Sequence, residues 1–421
     1  MEHTLRIKHG LVHDAVRREP YLADITVENG KITQIIPVSE GGAADKAHSP
    51  AATADDRRQL PDTAADGRVQ TLDSTADGRA QILDATGLEV YPGFVEAHCH
   101  LGLDGYAIGF EGADYNEMTD SLTPHLCAID GLNPMDESVR LAMEGGVTCV
   151  AAGPGSSNIL GGAFTVYKTS GKRIDDMVIQ KKAAMKCAFG ENPKRCYKDK
   201  DTYCRMSIAA RLRTMLDKTK EYLARLEAAG DDPLKMPAYD PKLEALIPVI
   251  KGEMPLKAHV HQANDIYTAI RIAKEYQLGL TLDHCTDGSL IADDLAREGY
   301  PVAVGPTLTH ATKYELKNKS FSTPGDLAKA GCQVSIITDS PVIPQQFLPL
   351  CAGLAVKSGM DEFEALKAIT IQAARHIGVS ERVGSLEIGK DADFVIANGN
   401  PMVSDTVISY VLINGMITFQ R

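Results

Sequence analysis

The spacing of hydrophobic positions changes along the chain and predicts two kinds of structure. Near the N-terminus, apolar and polar residues alternate with a period of two, and Asn29-Gly30 lies between two such stretches as a hairpin turn signal. From residue 256 onwards, short apolar runs are followed by stretches with apolar residues three or four positions apart. This alternation of strands and helices predicts parallel strands joined by helical crossovers.

Strand patterns in the central part of the chain are short, and most are followed by a helical pattern. We predict these strands at residues 90–95, 147–151, 256–261, 280–284, 302–305 and 332–339. Helices are predicted at residues 204–226, 264–279, 289–298, 323–330 and 361–377. Residues 383–418 return to short strands, so we expect the two chain ends to form one small β domain. The expected domains are 1–91 with 383–421 for this β domain, and 92–382 for an α/β body.

One segment of the N-terminal part follows neither pattern. Residues 39–80 are rich in Ala, Asp, Gly and Ser and nearly free of large apolar residues. Residues 65–75 recur almost unchanged as residues 76–86, but two copies are too few for a repeat architecture. We interpret the segment as an exposed insertion in the small domain that ends in one strand.

Composition and charge limit the possible partners. The 421 residues are 44% hydrophobic and carry a net charge of −12 at pH 7, without a block of Lys and Arg. This argues against nucleic acid or an anionic membrane as a partner, because both require a basic surface. No apolar run approaches the roughly 18 residues of a membrane span, and Met1–Pro20 contains no signal-peptide core. The nine cysteines lack framework spacing, and we expect reduced thiols and a cytoplasmic location.

Histidine and aspartate residues stand at the ends of several predicted strands. Two residues that are two positions apart at the end of a strand, such as His98 and His100, point to the same side. Because the C-terminal ends of parallel strands gather at one face, the side chains at these ends are expected around a common point. In chain order they are His98, His100, His259, His261, His284 and Asp339. Imidazole and carboxylate ligands suit a divalent ion such as zinc.

A site of this composition predicts hydrolysis. A bound divalent ion lowers the pKa of water to roughly 7 and polarises a carbonyl group. A carboxylate beside the ion can then accept the proton of the attacking water. Asp339 is the candidate for this general base.

Five motifs resemble the amidohydrolase superfamily, and together they extend over nearly the whole chain. They are Pro-Gly-Phe-Val-Glu-Ala-His-Cys-His (92–100), Ala-His-Val-His (258–261), Leu-Asp-His-Cys-Thr (282–286), Ile-Thr-Asp-Ser-Pro (337–341) and Gly-Ser-Leu-Glu-Ile-Gly-Lys-Asp-Ala-Asp-Phe-Val (384–395). The resemblance implies an α/β fold, a distorted (β/α)8 TIM barrel beside a small β-sandwich built from both chain termini. It also implies that the metal ligands are His98, His100, His259, His284 and Asp339. By the same resemblance Asp339 shuttles a proton and His261 faces the substrate.

The fourth-strand position decides between one and two metal ions. Binuclear members of the family use a carboxylated lysine there, and other members use a glutamate. Lys186, in the apolar stretch 185–189, aligns with the bridging lysine, and Glu191 is the alternative ligand. The segment Gly-Glu-Asn-Pro-Lys-Arg at 190–195 resembles members described as imidazolonepropionase-related or prolidase-like. The expected cofactor is one or two divalent ions per chain, with zinc preferred.

Three further residues are candidates for contact with a substrate. Lys194 and Arg195 could hold a substrate carboxylate by charge-assisted hydrogen bonds, with a plain surface pair as the alternative. His310 lies close to the predicted end of the seventh strand. The glycine-rich segment 153–162 lacks the Gly-Lys-Ser/Thr of a phosphate-binding loop, and we interpret it as a strand-to-helix loop near the site.

The sequence therefore predicts a metal-dependent hydrolase that cleaves amide or other C–N bonds with a metal-activated water. The expected substrate is a small molecule such as a dipeptide, an N-acyl amino acid or a cyclic amide, and a homo-oligomer is possible. One alternative is a metal-dependent deaminase of a small heterocycle. Deaminases of this family usually place an acidic residue two or three positions after the fifth-strand histidine, where this chain has His261 and Gln262. The other alternative is a non-catalytic scaffold, against which the intact set of candidate ligands argues.

Overall fold

The structure, a computed structural model, describes residues 4–38, 73–74, 80–106 and 109–421. Residues 39–72 and 75–79, which are most of the predicted insertion and half or more of the near-duplicated segment, lie outside these residues. Within the described ranges, no helix is both long and apolar enough to cross a membrane.

The N-terminal strands belong to a small β domain. They are β1 (Thr4–Val12), β2 (Tyr21–Glu28), β3 (Lys31–Pro37), β4 (Asp73–Ser74), β5 (Ala80–Asp84) and β6 (Glu89–Pro92). Strands β2 and β3 form the predicted hairpin, and Asn29 and Gly30 make its turn with φ values of 51° and 77°. Strand β1 pairs with β5 along residues 4–8 and with β6 at residues 11–12, with a bulge in between. The bulged strand β1 therefore pairs with β5 through its first part and with β6 through its last part.

The central part of the chain forms an eight-stranded, nearly closed barrel sheet. Its strands are β7 (Phe94–Cys99), β8 (Val147–Ala152), β9 (Leu160–Lys168), β10 (Val178–Ala188), β11 (Leu256–Val260), β12 (Leu280–His284), β13 (Val302–Val304) and β14 (Val334–Ile336), neighbours in this order. The two ends of the sheet approach each other where the His100 N–H donates to the Ser340 carbonyl at 2.8 Å. The predicted (β/α)8 class is confirmed.

One barrel strand runs against the others and produces the distortion. Strand β9 is antiparallel to both β8 and β10, whereas the other neighbouring pairs are parallel. The glycine-rich segment 153–162 therefore leads from one strand directly into the next, and its interpretation as a strand-to-helix loop was wrong. The glycines permit this tight connection: a Cβ at Gly153, Gly155 or Gly162 would lie within 2.6 Å of neighbouring side-chain or backbone atoms.

Eleven α-helices occur among the described residues, and most of them cover the barrel. They are α1 (Glu137–Glu144), α2 (Ile174–Met177), α3 (Glu191–Cys196), α4 (Arg205–Ala229), α5 (Pro241–Ile250), α6 (Ala263–Tyr276), α7 (Ala292–Glu298), α8 (Thr323–Lys329), α9 (Leu348–Lys357), α10 (Glu362–Ala368) and α11 (Ile371–His376). The helix predicted at 361–377 is two helices, α10 and α11. They are separate because the Ile369 carbonyl accepts a hydrogen bond from Val95 N–H of β7 instead of continuing the helix.

The last three strands return to the small β domain. They are β15 (Phe394–Ala397), β16 (Ile408–Ile413) and β17 (Met416–Gln420). Strand β15 pairs antiparallel with β6, so both chain ends build one nine-stranded sheet over a shared apolar core. Lys168, at the end of β9, ties the barrel to this domain through Asp393 at 2.5 Å and Asp391 at 3.1 Å.

Candidate metal centre

The structure brings the predicted metal ligands together at one end of the barrel. His98 is on β7 and His100 directly follows it, His259 is on β11, His284 ends β12, and Asp339 follows β14. The four histidines are between 0% and 5% exposed, and the Asp339 side chain is 16% exposed. The Nε2 atoms of His98 and His100 each lie 3.4 Å from Asp339 Oδ1. Two histidines of the first barrel strand thus meet the carboxylate that follows the eighth strand.

Two groups of three side chains meet the spacing of a metal site. The ligand atoms of His98, His284 and Asp339 lie within 4.8 Å of one another. The same limit holds for His259, His261 and His284. Since His284 belongs to both groups, the two positions adjoin each other.

The second nitrogen of each histidine lies within 3 Å of a polar atom. Nδ1 of His100 lies 2.7 Å from the Gly153 carbonyl, and Nδ1 of His284 lies 2.7 Å from the Gly305 carbonyl. Because a carbonyl oxygen only accepts, both rings carry their proton on Nδ1 and present the Nε2 lone pair to the centre. The remaining contacts are His98 Nδ1 to Asp283 Oδ2 at 2.9 Å, His259 Nδ1 to Ser156 Oγ at 2.8 Å, and His261 Nδ1 to Thr286 Oγ1 at 2.8 Å. Outer contacts of this kind orient metal-binding histidines in known sites.

A divalent ion fits the donor set. Nε2 of His259 and Nε2 of His284 are buried and have no hydrogen-bond partner among the described residues. Such atoms are costly to bury unless something satisfies them. Burial lowers the pKa of His284 to about 3, so its imidazole is neutral and its lone pair is free to bind a cation. The chemistry of these nitrogens therefore matches a metal-binding site.

The backbone is strained at two of the proposed ligands. His284 and Asp339 adopt positive φ values of 78° and 53°, which non-glycine residues rarely do. Conformations of this kind cost of the order of 1–3 kcal/mol and concentrate at functional sites. Glu96 helps to hold the backbone beside Asp339. Its carboxylate accepts hydrogen bonds from the backbone N–H of His98 at 3.0 Å and of Thr338 at 2.9 Å. The first strand and the segment that carries Asp339 are thereby tied together.

Lys186 points into the centre from β10. Its side chain is fully buried, and Nζ lies 3.4 Å from His98 Nε2. Burial lowers its pKa to about 8. Glu191, the alternative fourth-strand ligand, begins α3, where its backbone N–H donates to Glu315 Oε2 at 2.9 Å. Within the described part of the chain, neither group of potential metal ligands includes Glu191.

A cavity of about 360 Å³ opens beside the histidines, and one of the three candidate substrate-binding residues lines it. Arg195 lines the cavity together with His100, His259, His261 and Asp339. Lys194 does not line it, because adjacent residues of a helix point about 100° apart, and the α3 residues at the cavity are Asn192, Arg195 and Cys196. His310 does not line it either: it is exposed, and Thr312 and Lys313 of the same loop take the inward positions. Lys194 and His310 thus lie outside the lining of this cavity, and their contact with a substrate stays a prediction.

Several residues of the site are absent from the sequence-based prediction. Glu315 is 1% exposed, and its Oε1 lies 3.7 Å from Nε2 of both His259 and His261. Lys313 pairs with this carboxylate at 2.5 Å. Both belong to the loop after β13, which has no periodic pattern that could have identified them. Tyr115, stacked on His100 with 5.0 Å between ring centroids, comes from an equally irregular segment.

Comparison with known proteins identifies the family of the chain. The sequence model of the amidohydrolase family matches residues 90–418, and the chain belongs to this family. The crystal structure of an amidohydrolase from Thermotoga maritima is 35% identical, with a TM-score of 0.86 over 99% of this chain and 100% of that one.

Two relatives from other organisms have lower sequence identity or a shorter match. The amidohydrolase tasK of Hapsidospora irregularis is 27% identical over 361 residues, which are 79% of this chain but 36% of that protein. The imidazolonepropionase of Solibacter usitatus is 32% identical over 145 residues, 34% of this chain and 33% of that protein. In both cases the match spans about a third of the relative's length.

Proposed function

We propose that this chain hydrolyses an amide or another C–N bond in a small molecule with the help of a bound divalent metal. The observation that carries the proposal is the pair of buried, unpartnered Nε2 atoms on His259 and His284, next to Asp339 and open to a cavity. Membership of the amidohydrolase family makes the chain a hydrolase. The metal, the substrate and the roles of individual residues are the proposed part.

The metal would be held by residues of the first, fifth, sixth and eighth barrel strands: His98, His100, His259, His284 and Asp339. Imidazole with carboxylate is a donor set that suits zinc. When bound, such an ion polarises a carbonyl group and makes water acidic enough to attack it near neutral pH.

Asp339 would accept the proton of the attacking water and pass it to the leaving nitrogen. Its carboxylate reaches both the histidines and the cavity, so it can contact a water and a substrate at the same time. Burial alone would raise its pKa, but the neighbouring His284, His100 and His98 hold the pKa well below the usual range. The carboxylate is thus ionised and able to accept a proton at neutral pH.

His261 would contact the substrate rather than exchange protons with bulk water. Burial and the neighbouring His259 hold its pKa well below the ordinary value, so the ring is neutral. Its Nδ1 is fixed by Thr286, and its ring lines the cavity with Nε2 facing Glu315. A fixed neutral imidazole can hydrogen-bond a substrate carbonyl without a change of charge.

Lys186 would serve as a carboxylated bridging ligand if two ions bind. The neutral amine attacks carbon dioxide, forms an N–C bond and releases one proton, which leaves an anionic carbamate. Full burial and a pKa of about 8 give Lys186 the neutral fraction that this reaction needs. Glu191 remains the alternative ligand, and one ion without a bridge is the simpler arrangement.

Positive charge on one wall of the cavity favours a substrate with a carboxylate. Arg195 lines this wall and has no ion-pair partner among the residues that the structure describes. Lys313 also lines the cavity, with Nζ 3.1 Å from Asn192 Oδ1, but its charge is paired with Glu315 at 2.5 Å. A dipeptide or N-acyl amino acid would place its carboxylate here and its scissile bond near Asp339. A cyclic amide of similar size would also fit about 360 Å³.

Glu315 keeps a deaminase as the second candidate function. The sequence argument against deamination was the lack of an acidic residue shortly after His259. The structure supplies a carboxylate from another loop, 3.7 Å from that histidine. The two functions give different products: deamination releases ammonia, and hydrolysis of a peptide or N-acyl bond releases an amine or amino acid.

A substrate screen with product analysis distinguishes these functions. The zinc-loaded chain would be incubated separately with dipeptides, N-acyl amino acids, cyclic amides and aminated heterocycles. We expect release of a free amino acid or ring opening, with little ammonia. Ammonia as the main product from the heterocycles would favour the deaminase instead.

The nine cysteines are all free thiols, which suits the expected cytoplasmic location.

A further inference from the structure

A buried group of three polar side chains lies below the metal centre, toward the opposite end of the barrel. Lys257 precedes His259 by two positions on β11, Asp283 directly precedes His284 on β12, and His376 ends α11. They are 2%, 0% and 6% exposed. A lysine and an aspartate are almost never buried so completely unless they are paired.

The contacts within this group are all of hydrogen-bond length. Lys257 Nζ lies 2.9 Å from Asp283 Oδ1 and 3.2 Å from His376 Nε2. His376 Nε2 lies 3.1 Å from the same carboxylate oxygen. The other carboxylate oxygen, Oδ2, lies 2.9 Å from Nδ1 of His98. Asp283 therefore has one oxygen on the lysine side and one on a proposed metal ligand.

This arrangement favours one of the two positions for the proton of neutral His98. The Lys257 ammonium only donates, so it occupies Asp283 Oδ1 and keeps the carboxylate from rotating. Oδ2 lies 2.9 Å from His98 Nδ1 without hydrogen-bond alignment, and because a carboxylate oxygen can only accept, its negative charge favours the proton of His98 on Nδ1. The Nε2 lone pair is left toward Lys186 and Asp339. Of the proposed first-strand ligands, His98 is the one oriented by a charged side chain, whereas His100 has a backbone carbonyl.

We infer that Asp283 is a positioning residue that prepares His98 for metal binding, and that Lys257 fixes the orientation of Asp283. The inference rests on the proposed metal-dependent function. It also explains a cost in the fold: a lysine, an aspartate and a histidine occupy barrel-interior positions that apolar side chains could fill. Outer residues of this kind typically change metal affinity by about 10–100-fold.

The decisive variant is Asp283→Asn, since asparagine has nearly the same shape. Lys257 would attract the amide oxygen, and the amide N–H₂ would face His98 Nδ1. That nitrogen would have to accept, and the proton would move to Nε2, where it blocks metal binding. We expect zinc to bind about 10–100-fold more weakly in competition with a chelator.

The double variant Asp283→Asn/Lys257→Met separates positioning from a merely structural role. Methionine has a similar length but no N–H group that would require a hydrogen-bond acceptor. The amide can then turn its oxygen to His98 and its N–H₂ to His376. We expect zinc affinity to recover to within about threefold of the unmodified chain. A structural role would make the double variant at least as weak as the single one.

Thr281→Val is the matched control. Thr281 is two residues before Asp283 on β12 and lines the same cavity of about 270 Å³ as Lys257 and His376. Its hydroxyl has no hydrogen-bond partner among the described residues. We expect zinc affinity to be unchanged in this variant, and a loss equal to that of Asp283→Asn would overturn the inference.

These measurements distinguish failure of the inference about Asp283 from failure of the proposed function. If the unmodified chain binds no divalent metal, both proposals are wrong. If it binds zinc and Asp283→Asn binds equally well, only the role of Asp283 is wrong. Should Asp283→Asn not fold, the double variant gives the answer: near-normal affinity supports the inference, and a tenfold or greater loss overturns it.

Discussion

Replacing Asp339 with asparagine tests the proposed general base directly. Asparagine keeps one oxygen near the position of Asp339 Oδ1, which lies 3.4 Å from the Nε2 atoms of His98 and His100. It therefore retains part of the ligand role, but it cannot accept a proton. General-base assistance contributes a factor of about 10²–10⁴, so we expect kcat to fall by that amount.

The structure also sets the form that this loss should take. At about 1.36 kcal/mol per factor of ten, the activation barrier rises by about 2.7–5.4 kcal/mol. Because the neighbouring histidines, against the effect of burial, keep the pKa of Asp339 well below its usual range, the carboxylate is ionised throughout the neutral range. The ratio of the two kcat values should then be nearly constant with pH, and KM should change little.

The assay is steady-state hydrolysis with metal content measured on the same samples. Asp104→Asn is a suitable control, since Asp104 lines a neighbouring cavity beside His100 and belongs to neither group of potential ligands. We expect the Asp104→Asn control to retain most of the activity. If the Asp339→Asn variant keeps full kcat and its metal, the base lies elsewhere and the proposed mechanism is wrong.

Three further predictions address the ligands and the substrate. His284→Ala should lose most of its metal and turnover yet remain folded, as judged by circular dichroism; retained metal would contradict its assignment. Lys186→Ala should reduce two metals per chain toward one when bicarbonate is supplied, while Glu191→Ala keeps the count; the reverse result would make Glu191 the ligand. Arg195→Ala should raise KM for substrates with a carboxylate by about 10-fold or more, because the variant loses a charge-assisted hydrogen bond to that carboxylate. Lys194→Ala should not, and equal effects of both changes would contradict the cavity assignment.

The ends of the parallel strands were predictable because two simple rules coincide there. Alternation places His98 and His100 on one side of a strand, and parallel strands direct their C-terminal ends to one face. His259, His284 and Asp339 follow from the same rules. The structure brings these side chains together as the sequence predicted, although their function as ligands remains a proposal.

The reversed strand β9 was not predictable in the same way. Strand β9 (Leu160–Lys168) is buried along its whole length, so it lacks the polar positions that reveal a strand by alternation. Its direction depends on the tight loop at 153–162, whose glycines are also compatible with other connections. Strand direction is here a property of packing rather than of local pattern.

The polar residues around the histidines were missed for a different reason. Glu315 and Lys313 come from a loop without periodicity, and their role depends on the path of that loop across the barrel mouth. Asp283 was adjacent to a predicted ligand, but sequence alone did not show that it faces His98 on another strand. Contacts between distant segments are the part of a site that one sequence predicts least well.

The most direct test of the whole account is reconstitution of activity with metal. The chain would be depleted of metal with a chelator and titrated with zinc while hydrolysis of the best substrate from the screen is followed. We expect no turnover without metal, a rise that saturates at one or two zinc ions per chain, and no rise at all in His98→Ala. Full turnover in the metal-depleted chain, or equal reconstitution of His98→Ala, would contradict the proposal that these histidines hold a catalytic metal.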